Sequence, residues 1–112
     1  METANSISDL NEIKEKSDMA LVYFGSDTCG VCRDILPKLE KMIRTYSGVK
    51  AVKVEAKSLP ELFAEYSVFA YPVIILFIQG KETIREAGVI SLINLEQKIA
   101  RYYTLFYDRS EG

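Results

Sequence analysis

The stretch Met19-Ala20-Leu21-Val22-Tyr23-Phe24-Gly25-Ser26-Asp27-Thr28-Cys29-Gly30-Val31-Cys32 joins a continuous apolar run to a cysteine pair across a short polar loop. Residues 19–24 are rich in strand formers and are bounded by Gly25-Ser26-Asp27, the pattern of a strand buried on both faces. From Cys29 onward the period changes. Ile35, Leu36, Leu39, Met42, Ile43 and Tyr46 recur at spacings of three and four, which marks one face of a helix beginning at the cysteines. Pro37 lies inside that helix, where it removes a backbone donor and crowds the preceding turn, so a kink is expected about one turn after Cys32. Gly48 ends the segment and Val49 to Val54 reads as a second strand. A strand, a helix and a strand joined by short loops predict two parallel strands in a right-handed crossover.

Toward the N-terminus, Ser8 is read as the cap of a short first helix whose apolar face is Leu10 and Ile13. Toward the C-terminus, Pro60 to Tyr66 reads as a short helix opening on a proline, where one is tolerated. Tyr71-Pro72 then precedes the apolar strand Val73 to Ile78, Gln79-Gly80-Lys81 turns the chain, and Glu82 to Ala87 pairs back as a hairpin. Ser91 can cap a last helix that buries Leu92, Leu95, Ile99, Tyr102 and Phe106, leaving Tyr103 and Tyr107 for contact with a partner, before an acidic, glycine-ended tail. The order predicts an α/β fold, a mixed central β-sheet flanked by helices on both faces, in a single domain over residues 1–112.

A chain of 112 residues, 48% of them hydrophobic, is long enough to bury a sizeable core. Fourteen basic residues face sixteen acidic ones, with neither sign gathered into a block, which argues against nucleic acid or a membrane surface as partner. The longest apolar run, Val73 to Ile78, is far below the roughly 20 residues needed to cross a bilayer. Met1 to Ser6 lacks the basic start and apolar stretch of a secretory signal, so the expected location is cytoplasmic. Nothing in the composition points to an oligomer, and a monomer is expected.

Only two cysteines are present, three positions apart, so they cannot staple distant parts of the chain. Histidine is absent, which removes the commonest metal ligand and the commonest general base at neutral pH. Residues three apart on the first turn of a helix have β-carbons roughly 5–6 Å apart. A disulfide needs α-carbons within roughly 4.4–6.8 Å, so Cys29 and Cys32 can close one with modest adjustment. Cys29 stands where the loop enters the helix, and the unpaired N–H groups and dipole there favour its thiolate, the attacking species. Cys32, a turn further in, suits the resolving role, in which it attacks a mixed disulfide on Cys29. Two blander readings stay open: both thiols are inert and buried, or two chains pool four thiolates around a metal. One chain supplies too few sulfur and nitrogen ligands for a metal site, and no bound cofactor is required.

Cys29-Gly30-Val31-Cys32 after an apolar strand, Pro37 within the helix, Pro72 before a strand, Gly80 at the hairpin and Gly88 beyond it together resemble the thioredoxin family. The likeness spans nearly the whole chain, and its proline and glycine positions make it more specific than the cysteine spacing alone. It implies the thioredoxin fold, with Cys29 and Cys32 as a redox-active pair. It implies that Pro72 follows a cis bond beside that pair and that the backbone of Tyr71 binds a partner's chain like an added strand. The groove so implied is floored by Thr28, Gly30, Val31, Tyr71, Pro72, Gly88 and Val89.

Departures from the family pattern are expected to tune potential and partner choice. Thr28 and Val31 stand where the family has Trp before the first cysteine and Pro before the second. Tyr23 stands where it usually has a buried carboxylate, and a phenol with a reference pKa near 10 is a poor base at neutral pH. Lys53 matches the lysine that accompanies that carboxylate and, without its partner, is expected to lower the pKa of a nearby thiol. Asp27 is expected to be solvated. The resulting expectation is an oxidoreductase exchanging a Cys29–Cys32 dithiol with protein disulfides and reduced by an upstream thiol-disulfide reductase. The alternative is a binding or adaptor module that keeps the groove with little turnover.

Overall fold

Five strands hydrogen-bond into one sheet in the computed structural model, which describes residues 1–108. In chain order the elements are β1 (Glu2–Thr3), α1 (Ile7–Lys16), β2 (Met19–Gly25), α2 (Gly30–Ile43), β3 (Val49–Glu55), α3 (Pro60–Glu65), β4 (Val73–Ile78), β5 (Lys81–Ala87) and α4 (Leu92–Asp108). The sheet order is β1-β3-β2-β4-β5, with β1 and β2 parallel to β3, and β4 antiparallel to both β2 and β5. This is the mixed sheet expected from the sequence.

All seven residues of β2 are buried, because the strand is central and covered on both faces. Alternate residues serve opposite cores. Ala20, Val22 and Phe24 face α1 and α3 together with Leu10, Leu62, Phe63 and Ile75. Met19, Leu21 and Tyr23 face α2 and α4 together with Cys32, Leu39, Ile74, Leu95 and Ile99. Helix α2 runs through Pro37 without a break in its assigned span. The turn between β4 and β5 is two residues long, with Gln79 and Gly80 at φ 50° and 79°, the left-handed pair whose twist matches a hairpin.

Four details differ from the sequence reading. The first helix is capped by Ser6, whose Oγ accepts from Asp9 N–H at 3.0 Å, and not by Ser8, which lies inside the helix. Glu2–Thr3 forms an edge strand on β3, an element that two polar residues could not announce because its hydrogen bonds come from 50 positions away. Helix α2 stops at Ile43, and two further turn hydrogen bonds carry the chain past Tyr46, so Gly48 is not its cap. On α4 the core stripe is Leu95, Ile99 and Tyr103, with Phe106 and Tyr107 packed beside it, while Tyr102 is 36% exposed. Steps of four from Leu95 reach Tyr103, not Tyr102. The glycine-ended tail lies outside the described residues.

The ring hydroxyls of Tyr103 and Tyr107 bracket one residue: Gly48 N–H donates to Tyr103 Oη at 3.1 Å, and Tyr107 Oη donates to Gly48 C=O at 3.0 Å. Tyr103 also packs edge-on against Tyr46, so α4 is pinned to the end of α2 and the start of β3. Tyr103→Ala is expected to cost about 2–4 kcal/mol, through lost packing and an unpaired Gly48 N–H, and Tyr102→Ala under about 1 kcal/mol. Urea unfolding midpoints of the two variants check this, and equal losses would refute the assignment of the buried face.

Candidate active site

Strand β2 ends at Gly25 between two neighbours, and the loop that follows is held by its own hydroxyls. Ser26 Oγ lies 2.9 Å from Thr28 Oγ1 and accepts from Thr28 N–H at 3.3 Å, and Cys29 N–H donates to Ser26 C=O at 3.1 Å. Such short side-chain-to-backbone bonds favour a turn over continued strand. They deliver Cys29 to the N-cap of α2, with extended backbone at φ −89° and ψ 118°. There its Sγ accepts from Cys32 N–H at 3.3 Å, the position normally taken by a capping hydroxyl or carboxylate.

The two thiols are free and unlike each other. Cys29 is partly exposed and Cys32 is 2% exposed. The Cys29 thiol is held below its ordinary pKa by the hydrogen bond from the Cys32 thiol, then by the N–H groups of Cys32 and Val31 and the charge of Arg33, against a smaller opposing effect of burial. The Cys32 thiol is pushed up, first by burial and then by its hydrogen bond to Cys29, while the Ser26 N–H and the Tyr23 hydroxyl pull the other way. One sulfur is thus prepared to be a thiolate at the surface, and the other to keep its proton beneath it.

Tyr23, 3% exposed, donates from Oη to the Cys32 carbonyl at 3.2 Å. Burial, and then the hydrogen bond with Cys32, raise its pKa far above the ordinary phenol value, so it stays a donor throughout the working range of a thiol. Gly25 makes room for it: a β-carbon at residue 25 would stand 2.6 Å from Tyr23 Cε1 and 2.7 Å from its Oη. Next to the ring is a cavity of about 160 Å³ lined by Tyr23, Cys32, Arg33, Lys53 and Glu55 among others. Lys53 pairs with Tyr23 and Glu55 with Gly25 across β2 and β3, which sets both side chains on the α2 side of the sheet. Asp27 is exposed, with its carboxylate 3.9 Å from Lys57 Nζ, and its N–H donates to Glu55 Oε1 and Oε2 at 3.3 and 3.2 Å.

The remaining residues named from the sequence come to the same end of the sheet. Phe24 pairs with Val73 and Val73 with Ala87, so the β2–α2 loop, the start of β4 and the end of β5 lie side by side. The Tyr71–Pro72 bond is cis, and the Pro72 carbonyl accepts from Gly88 N–H at 3.1 Å. Pro72 is buried, while Tyr71 is exposed with its ring edge-on to Phe63. Thr28, Gly30, Val31, Gly88 and Val89 are all exposed there, and Phe69 adds an apolar side chain 86% exposed. Sequence reasoning missed Ser26, Gly25 and Glu55. A signal for Glu55 was present, since it is two positions from Lys53 and strand periodicity puts both on one face.

Comparison with known proteins agrees with this geometry. The thioredoxin family model matches residues 4–101. A thioredoxin-like protein, YdfQ of Bacillus subtilis, is 30% identical over 102 residues, covering 91% of both chains. The X-ray structure of Fasciola hepatica thioredoxin superposes with a TM-score of 0.77 at 31% identity, over 93% of this chain and 97% of that one. A mutant thioredoxin from Halobacterium salinarum reaches a TM-score of 0.83 over 91% of this chain and 89% of its own, and at 22% identity it speaks for the fold alone. With the sheet, the cysteine pair at the head of α2 and these matches in agreement, the chain belongs to the thioredoxin family, a family of thiol-disulfide oxidoreductases.

Proposed function

We propose that the protein reduces disulfides of other proteins with the Cys29–Cys32 dithiol. The observation that carries this reading is the opposed state of the two sulfurs, one thiolate-prone and partly exposed, the other protonated and buried. Cys29 thiolate attacks one sulfur of the partner's disulfide, forms a mixed disulfide and expels the first partner thiolate. Cys32, once deprotonated, attacks Cys29 Sγ; the Cys29–Cys32 bond forms, the mixed disulfide breaks, and the second partner thiolate leaves with the electron pair. The protein is oxidised by two electrons and the partner is reduced by two. An upstream thiol-disulfide reductase restores the dithiol, and no bound cofactor takes part.

The groove assigned to the partner's chain is the end of the sheet where Thr28, Gly30, Val31, Tyr71, Pro72, Gly88 and Val89 meet. Its exposed apolar side chains suit a peptide bound beside the start of β4 through main-chain hydrogen bonds. Lys53 has a supporting role through the cavity it shares with Cys32. Action in the cytoplasm as a monomer belongs to the same reading. The relatives do not narrow the compartment, since they include the chloroplastic thioredoxin X of Arabidopsis thaliana. No helix among the described residues is long and apolar enough to cross a membrane.

Thiol counting after equilibration in thiol/disulfide buffers tests the activity. A reversible two-electron titration is expected, lost in Cys29→Ser; an adaptor without turnover would form no intramolecular disulfide. In Cys32→Ser the mixed disulfide on Cys29 is expected to persist and to be recoverable with its partner attached. The alkylation rate of Cys29 in the reduced wild-type protein, where Cys32 is buried, is expected to follow its thiolate, with a midpoint below the ordinary thiol value of roughly 8.5. Reactivity then survives as pH falls toward neutrality, and a midpoint at or above that value would refute the assignment of Cys29 as nucleophile.

A further inference from the structure

The resolving step needs Cys32 to lose a proton, and Cys32 is the sulfur that burial keeps protonated. None of its direct neighbours accepts that proton. Tyr23 Oη is a donor, committed to the Cys32 carbonyl at 3.2 Å. Cys29 Sγ is bonded to the partner at that moment. The cavity beside Cys32 is roomy enough, at about 160 Å³, to hold water, and although much of its wall is apolar, Ser26, Lys53 and Glu55 on its lining offer water hydrogen-bond partners. The titratable or charged groups facing it are Tyr23 from β2, Asp27 from the loop, Cys32 and Arg33 from α2, and Lys53 and Glu55 from β3.

Of the two carboxylates, Asp27 turns outward to solvent near Lys57. Glu55 is half-buried, on the α2 side of the sheet, and its carboxylate is held at the cavity by the Asp27 N–H. Lys53, two residues away on the same face of β3, lines the same cavity.

We propose that Glu55 receives the Cys32 proton through water in this cavity, so that the carboxylate serving the resolving cysteine stands on β3 rather than at the Tyr23 position on β2. The inference rests on the thiol-disulfide exchange proposed above. The Cys32 S–H proton passes to a bridging water as that water gives one to the Glu55 carboxylate, and the carboxylic acid later releases it to solvent. The Cys32 thiolate so formed displaces the partner thiolate from Cys29 as already described. Tyr23 keeps its bond to the Cys32 carbonyl, and Glu55 acts as a positioning residue for the proton, touching neither sulfur.

Glu55→Gln keeps the acceptor for the Asp27 N–H and nearly the same shape, so the fold is expected to survive. The readout is the pH profile of the resolving step, measured in stopped flow as release of the partner thiol from a preformed mixed disulfide on Cys29. In Glu55→Gln that step is expected to slow on the order of 100-fold at neutral pH. The deficit should shrink as pH rises and Cys32 ionises unaided, and Glu55→Asp should recover part of the rate. Alkylation of Cys29 should not change.

An unaltered rate, or a deficit independent of pH, would overturn the proposal. So would a wild-type profile in Glu55→Gln together with a neutral-pH deficit in Asp27→Asn. These outcomes all presuppose a wild-type protein that exchanges disulfides. A wild type that does not would instead defeat the function proposed above, so the two failures are separable.

Discussion

Everything at the candidate site depends on β2 being buried on both faces. A strand with polar residues on either side could slide or tilt, whereas each residue from Met19 to Gly25 is sealed against helices on one face or the other. A register slip of one residue would exchange the two faces and bring Tyr23 and Leu21 against α1 and α3. The C-terminal end of β2 is therefore fixed in position and direction. The loop after it is three residues long and closed by Ser26 and Thr28, so little freedom is left before Cys29 caps α2. Helix α2 is itself held by Ile35, Leu39 and Ile43 against the same sheet. The thiol geometry is the end product of core packing several residues away.

That dependence explains what the sequence could disclose. Apolar runs and helical periodicity report burial directly, so β2, β3, β4, α2 and most of α4 were legible, as was the cysteine pair at a helix start. The residues gathered at that end of the sheet were named from the resemblance to the thioredoxin family, since periodicity says nothing of which strand ends lie side by side. Features that rest on contacts distant in sequence were not legible. Glu2–Thr3 is a strand only because β3 offers it an edge. Tyr102 and Tyr103 are adjacent tyrosines, and which one turns inward is settled by a helix phase running from Leu95 and by the Gly48 peptide waiting for a hydroxyl. Ser6 and Ser8 are equally good caps by composition, and the side chain that meets Asp9 N–H decides between them.

The chemistry of the pair rests on a division of labour between exposure and burial. Hydrogen bonds from the Cys32 thiol and backbone favour charge on Cys29, and a Cys32 thiol that donates is one that has kept its own proton. The hydrogen bond between the sulfurs thus lowers the pKa of one and adds to the burial that chiefly raises the other. Stabilising the Cys29 thiolate favours the dithiol over the disulfide, whereas burying Cys32 in its neutral form adds no such charge. The poise of the couple accordingly depends on what surrounds the outer sulfur, and Thr28 and Val31 leave that approach without an added charge.

Tyr23 and Gly25 form one structural unit in this frame. The phenol reaches the Cys32 carbonyl only because the next residue on the same face of the strand has no side chain; any β-carbon at residue 25 would occupy the ring's place. The ring then fills space beside Cys32 without offering a base. What remains is a small cavity bounded by a phenol that donates, a thiol that holds its proton, a lysine and a glutamate. In such an enclosure a proton leaving sulfur needs a group able to bind it, and the carboxylate on β3 that lines the cavity is the group proposed for it. A tyrosine at residue 23 therefore shifts the burden of proton acceptance from one strand to its neighbour without changing the backbone that carries either.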